Sequence, residues 1–404
     1  MRGNGATDIA ARFIQQLLAI PLLCLLLAAA GCRTGKPSTE FTPPAPTNET
    51  ILRPVEVIAP PPTNKVAPPV LPPVEPAPTI ATQTQAIPPL STRTGDEIVV
   101  AGQLFHTGTR VVLWNETNGY SAYDLKRHFA TGGMMAADDA EDPAPPQQLR
   151  KRYDQRDGEL TRAELTHVRT NGWDLPTLQR GIDQFVIHYD VAGTSRQCFY
   201  ILHDRRFLSV HFKLDLDGTI YQTLDTQERA RHASGANDRS VGIEIANIGA
   251  YPTNETGTLE QWYKRDTNGQ PYVTLPERFG DGGLLATNFI ARPARMDAIT
   301  NTIHGRTLVQ YDFTPEQYSA LAHLTAALCR ALPQIKCDAP RDTDGKVLAE
   351  KVPDEALEKF HGLVGHYHLT TNKTDPGPAF DWEKLLGEAR RWMSEMNSRP
   401  GQSP

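Results

Sequence analysis

The chain has 404 residues, 39% of them hydrophobic, with 41 basic against 47 acidic side chains for a net charge of −6. No Lys/Arg run breaks that acidic balance, so nucleic acid is excluded as the expected partner, and five cysteines are too few for a disulfide-scaffold protein. Length alone allows about two or three domains of roughly 150 residues, a number that falls once the first 95 residues are read.

Arg2 and Arg12 precede an apolar run from Leu17 to Ala30. At about 1.5 Å per residue this run is too short for a hydrocarbon core of roughly 30 Å, so residues 1–31 read as a secretory signal rather than a membrane span. It ends in Leu27-Ala28-Ala29-Ala30-Gly31-Cys32, where small residues before a cysteine resemble a bacterial lipobox. That resemblance implies cleavage before Cys32 and its lipidation, and several acyl chains hold far more firmly than one. Arg33, in place of the Asp that keeps many such proteins in the inner membrane, points to the outer membrane facing the periplasm. Residues 33–95 hold 16 of the 33 prolines, including Pro60-Pro61-Pro62. Such a segment buries too little apolar surface to offset chain entropy and favours extended PPII, so residues 32–95 read as a disordered, lipid-anchored spacer reaching at most roughly 195 Å.

Residues 96–170 read as a small β-rich region. Glu97–Phe105 and Arg110–Trp114 are rich in Val, Leu and Phe, with His106-Thr107-Gly108-Thr109 as the turn between them and Asn118-Gly119 as another. The Gly-, Asp- and Pro-rich residues 131–150 read as a loop. The region is either an accessory module or an extension packed on the main domain, with His106 and His128 on the surface.

From Trp173 the organisation changes. Asp174 caps a short helix with Pro176 in its first turn. Phe185-Val186-Ile187-His188-Tyr189-Asp190 suits a buried strand ending in a histidine at its mouth. Ser209–Asp215 alternates, and Asp217-Gly218 supplies the turn of a hairpin to Ile220-Tyr221. Val241–Asn247 is a further apolar strand with Glu244 set in its middle, where an ionised carboxylate is costly unless paired or used. Thr314-Pro315-Glu316-Gln317 opens a helix with a capping box, and Tyr318, Leu321, Ala322, Leu328, Cys329 and Leu332 share its apolar face. Leu363-Val364-Gly365-His366 is again a short strand ending in histidine, followed by Asp375-Pro376-Gly377-Pro378. Two strand-end histidines and a nearby carboxylate could hold a metal: zinc accepts His, His and a carboxylate oxygen, and a catalytic site keeps its fourth position open. Among 12 histidines, though, many such triples can be drawn.

Taken together, Phe185–Asp190, Ser209–Tyr221, Ser240–Asn247 and Gly365–Trp382 resemble the type 2 zinc-dependent N-acetylmuramoyl-L-alanine amidases, which share a fold with the peptidoglycan-recognition proteins and phage amidase lysozymes. The resemblance implies an α/β fold, a mixed central sheet flanked by helices with zinc in a groove on one face, over a domain of residues 171–395. Residue by residue, it makes His188, His366 and Asp375 the ligands of one zinc ion. Glu244 becomes the general base, and Lys373 the group that stabilises the oxyanion. Other branches of the family use a tyrosine where this chain has Val210, which favours the glutamate. The resemblance also gives Asn247 as a substrate contact and His232 as a groove-lining histidine, either touching substrate or packing in the fold, whereas His211, His304, His323 and His361 read as structural.

Three features depart from the pattern. His368 stands where the family often has Asp, which puts the partner that holds the His366 ring in question and leaves room for His368 to compete with His366 as ligand. The stretch between Ala250 and Phe313 is longer than the family needs, and either walls the groove or decorates the fold elsewhere. Cys329 and Cys337 are a candidate disulfide pair in an oxidising envelope. The reading is a monomeric peptidoglycan hydrolase cleaving between N-acetylmuramic acid and L-alanine, on intact wall or on released muropeptides. The rival is a peptidoglycan-binding or sensing lipoprotein of the same fold. Binding-only relatives lack a ligand or the base, and this chain keeps all four residues.

Overall fold

The computed structural model describes residues 93–129, 149–157 and 160–397; the leader, Cys32 and the proline-rich spacer lie outside them. In chain order, the strands are β1 (Glu97–Val100), β2 (Gln103–His106), β3 (Val111–Leu113), β4 (Tyr153–Gln155), β5 (Gln184–Tyr189), β6 (Phe212–Leu214), β7 (Ile220–Gln222), β8 (Glu228–Ala230) and β9 (Ser240–Ile245), then β10 (Tyr251–Pro252), β11 (Tyr263–Arg265), β12 (Pro271–Val273), β13 (Ile299–Ile303), β14 (Arg306–Gln310) and β15 (Gly362–Gly365). The helices are α1 (Arg162–Asn171), α2 (Leu175–Gly181), α3 (Ser195–Phe199), α4 (Gly257–Trp262), α5 (Pro315–Ala331), α6 (Asp354–Lys359), α7 (His366–Leu369) and α8 (Trp382–Asn397). None of the described helices is long and apolar enough to cross a membrane.

Six strands form the central sheet in the order β15-β5-β9-β6-β7-β3. Only the β6–β7 pair, joined through the turn at Asp217-Gly218, is antiparallel; the other four pairings are parallel, so the sheet is mixed. Side chains alternate across each strand. One face carries Phe185, Ile187, Phe212, Leu214, Val241, Ile243 and Leu363, which pack with Leu321, Leu324 and Leu328 of α5 and Leu385 and Leu386 of α8 in the main core. The helices form where local sequence asks for them. Asp174 accepts from Thr177 N–H at 2.8 Å to start α2, and Thr314 and Gln317 complete a reciprocal capping box at α5.

Two strand expectations need correction. Glu97–Phe105 is not one strand: Ala101 and Gly102, both at positive φ, turn the chain so that β1 and β2 pair as a hairpin. β3 then leaves the hairpin and joins the central sheet as its edge, parallel to β7. The segment is thus an extension of the main sheet rather than a module beside it. The long stretch after Ala250 is folded as well. Leu259, Trp262, Tyr263 and Phe279 make a small core with Ile248, and β14 pairs with both β10 and β13.

Candidate functional site

On the face opposite the main core, strand register lines up His188 of β5, Glu244 of β9 and Lys213 of β6 in one row across the sheet. β15 ends beside β5, so His366, the first residue of α7, arrives next to His188. The loop after α7 brings Asp375 back, with Tyr367 N–H donating to its carbonyl at 3.1 Å. Three strand or loop ends therefore meet at one point, although residues 188 and 366 are far apart in sequence.

The donor atoms are close-packed. Asp375 Oδ2 lies 2.8 Å from His188 Nδ1 and 3.0 Å from His366 Nδ1, and the two ring nitrogens are 3.0 Å apart. Together they could hold a metal ion. The hydrogen-bond pattern around them assigns the tautomer of His188. Ser240 Oγ–H donates to Ala236 C=O at 2.7 Å, leaving its lone pairs toward His232 Nε2–H at 3.4 Å. His232 Nδ1 is then the acceptor for His188 Nε2–H at 3.1 Å, and His188 Nδ1 turns a lone pair toward Asp375 and His366. Two imidazoles and a carboxylate converging lone pairs on one spot fit a zinc ion in donor type and number. Burial pushes His188 down to about 4, so it stays neutral and able to ligate. Burial opposes the charge on Asp375, yet His366 and His188 beside it hold its carboxyl well below the usual carboxylate range.

Glu244 is half-buried, and its Oε2 is buried with no hydrogen-bond partner. Burial pushes its carboxyl well above the usual range, opposed by Lys213 first and more weakly by Lys373. Lys373 is two residues from Asp375, half-buried, and its charge is felt at both Glu244 and His188. A carboxyl group and a lysine thus flank His188, His366 and Asp375.

Several expectations change. Of the two roles open to His232, packing is the one seen: both ring nitrogens hydrogen-bond within the fold, and its ring lies over Gly242, where any Cβ would come within 2.5 Å of it. Asn247 is corrected. It is 3% exposed, and its amide donates to Tyr311 C=O while its carbonyl accepts from Gln310 and Gly249 N–H, so it is buried inside the fold rather than lining a groove. His368 does not compete with His366. It accepts from Gly365 N–H and donates to Leu348 C=O, and burial lowers it to about 4. His211 is structural as expected, accepting from Gly242 N–H and donating to Glu228 C=O. Cys329 and Cys337 are free thiols in hydrogen-bonding contact.

Sequence reasoning missed Gln310, fully buried at the end of β14. Its amide donates to Pro376 C=O and Asn247, and its carbonyl accepts from Ala379 N–H. At Gly377, φ is +89° and a Cβ would meet Gln310 Oε1 at 2.2 Å. The long stretch after Ala250 thus ends by bracing the loop that carries Lys373 and Asp375. No local signal marks such a glutamine.

Residues 178–378, about half of the chain, match the sequence family described as N-acetylmuramoyl-L-alanine amidase. No curated protein matches the chain. Among solved structures, the amidase AmiD from E. coli, in complex with anhydro-N-acetylmuramic acid-L-Ala-D-gamma-Glu-L-Lys, is 18% identical, covers 63% of this chain and 75% of its own, and has a TM-score of 0.28. The endolysin amidase LysCS from Clostridium intestinale is 16% identical over 53% of this chain and 86% of its own, at a TM-score of 0.27. A selenomethionine derivative of AmpD is 18% identical over 59% and 89%, at 0.26. At such values the structural likeness carries no argument, and the sequence family stands on its own.

Proposed function

Since the chain belongs, through residues 178–378, to the N-acetylmuramoyl-L-alanine amidase family, we propose that it hydrolyses the amide between the lactyl group of N-acetylmuramic acid and L-alanine with one zinc ion held by His188, His366 and Asp375. The observation that carries this reading is the meeting of two imidazole nitrogens and a carboxylate oxygen within 3.0 Å of one another, beside an orphaned glutamate oxygen. When bound, zinc supplies Lewis-acid polarisation of a carbonyl and brings the pKa of water toward neutrality.

The rest of the chemistry belongs to the chain's own side chains. His232, fixed by Ser240, holds His188 in the tautomer that points Nδ1 into the site. Glu244 takes the proton from the attacking water and returns it to the leaving amine; its half-buried carboxyl, raised by burial, is the stronger base for that. Lys373 puts a positive charge where the carbonyl oxygen becomes negative. Gln310 keeps the loop bearing Lys373 and Asp375 in register with the sheet.

Delivery to this substrate follows from the sequence: Cys32 as lipid anchor and residues 33–95 as spacer would hold the hydrolase at the outer membrane, within reach of the wall. Mass spectrometry of the mature N-terminus checks it, and an unacylated N-terminus at another position would refute the anchor.

The activity test uses zinc-loaded protein on intact sacculi and on soluble anhydro-muropeptides. Free stem peptides are expected from wild type and not from Glu244→Gln. Sacculus binding without peptide release would refute the reading. The substrate that is cleaved separates wall remodelling from fragment recycling.

A further inference from the structure

The row that holds His188 and Glu244 continues one strand further. Lys213 is directly opposite Glu244 in the parallel β6–β9 pair and directly opposite Tyr221 in the antiparallel β6–β7 pair, so its side chain shares their face. It is 1% exposed. Its Nζ donates to Cys198 Sγ at 2.9 Å and lies 5.8 Å from the centre of the Phe199 ring. Neither neighbour balances a charge. A thiol is a weak acceptor, and burial keeps Cys198 protonated by pushing its pKa well up. A buried ammonium in such surroundings is costly unless an opposite charge lies near.

Two carboxylates are near enough to act on the Lys213 ammonium, Asp190 and Glu244; Asp190 is held by three backbone N–H groups, whereas Glu244 lies directly across the ladder. Glu244 has a buried oxygen without a partner, and Lys213 is the largest favourable influence on its ionised form. Each group is poorly satisfied alone, and each offers what the other lacks. We propose that Lys213 is a positioning residue for the hydrolysis, the counter-charge that holds the Glu244 side chain as a carboxylate facing the metal site. This rests on the reading of Glu244 as proton acceptor. It adds a residue from a third strand to the working row, on the side of Glu244 away from the ligands.

A four-way comparison tests it, using the zinc-loaded full chain as wild type, Lys213→Met, Glu244→Gln and the double variant. Metal content, steady-state peptide release and the thermal unfolding midpoint are measured for each. Lys213→Met is expected to retain zinc and hold KM within about twofold while kcat falls roughly tenfold or more, as a one-unit loss of charge stabilisation would give. It should lower the unfolding midpoint in the wild-type background and raise it, or leave it, once Glu244→Gln has removed the carboxylate. If Lys213→Met alone does not fold, rescue of folding by Glu244→Gln supports the pairing. An unchanged kcat, an equal drop in midpoint in both backgrounds, or a double variant that still does not fold would overturn it. Full activity in Glu244→Gln would instead overturn the proton-acceptor reading beneath it, while the midpoint cycle still reports on the charge pair.

Discussion

The two faces of the central sheet are built from the same strands and do opposite things. On β9, Val241, Ile243 and Ile245 face α5 and α8, while Gly242 and Glu244 face the other way. On β5, Phe185 and Ile187 join the apolar core and His188 faces Asp375 on the other side. One side is close-packed hydrocarbon with little polar content. The other carries an imidazole, a carboxylate and an ammonium in adjacent strands. The difference shows how a rigid site is made: the apolar face fixes strand positions, and the alternating residues inherit that rigidity. Stability and chemistry should therefore separate residue by residue along each strand.

The strongest break of the comparison is at the ligands. His188→Ala should lose zinc and all measurable peptide release while unfolding near the wild-type midpoint of the metal-free protein; retained metal and activity would place the site elsewhere. Next is the neighbouring pair on β9. Glu244→Gln should keep zinc and lose roughly 10²–10⁴-fold in kcat, the range for a general acid–base group. Ile243→Ala should instead cost roughly 2–5 kcal/mol of stability, as large-to-small core changes do, and leave kcat of the folded protein unchanged. Chemical denaturation and steady-state kinetics on both proteins decide whether the faces are separable. An activity loss in Ile243→Ala at full folding would show that they are not.

A smaller effect comes with pH. Burial keeps His211 and His368 neutral, at about 3 and about 4, inside the fold. An unfolded chain protonates both below about 6.5, so it binds more protons than the native state there, and stability falls as pH drops. Between pH 6.5 and 5 the two together should remove on the order of 3 kcal/mol, read from urea midpoints. His188 and His232, lowered by burial too, add to the measured slope, so His211→Gln should flatten it by about a quarter.

Much of both faces was legible in the sequence. Strand β5 is an apolar run with a histidine at its end, and β9 shows its carboxylate among Ile and Val. The capping box at Thr314 and the N-cap at Asp174 mark their helices. A second capping box, Thr161 with Glu164, opens α1 and is as plain in the sequence. What stayed hidden depends on partners distant in sequence. His232 looks like a groove residue until Ser240 and His188 claim its two nitrogens. Asn247 looks available until Tyr311 and Gln310 reach it from the end of the long stretch after Ala250. Lys213 sits in an alternating strand where a lysine ordinarily points to solvent, and only the overlying α3, with Cys198 and Phe199, buries it.

The proposed function makes the polar face work through one zinc ion held by His188, His366 and Asp375. The most direct test is to strip metal from the protein with a chelator and titrate zinc back while following stem-peptide release. Activity should vanish on stripping and return to a plateau at one ion per chain, with no recovery in Asp375→Ala. Full peptide release from the metal-free protein, or a plateau at a different stoichiometry, would contradict the account.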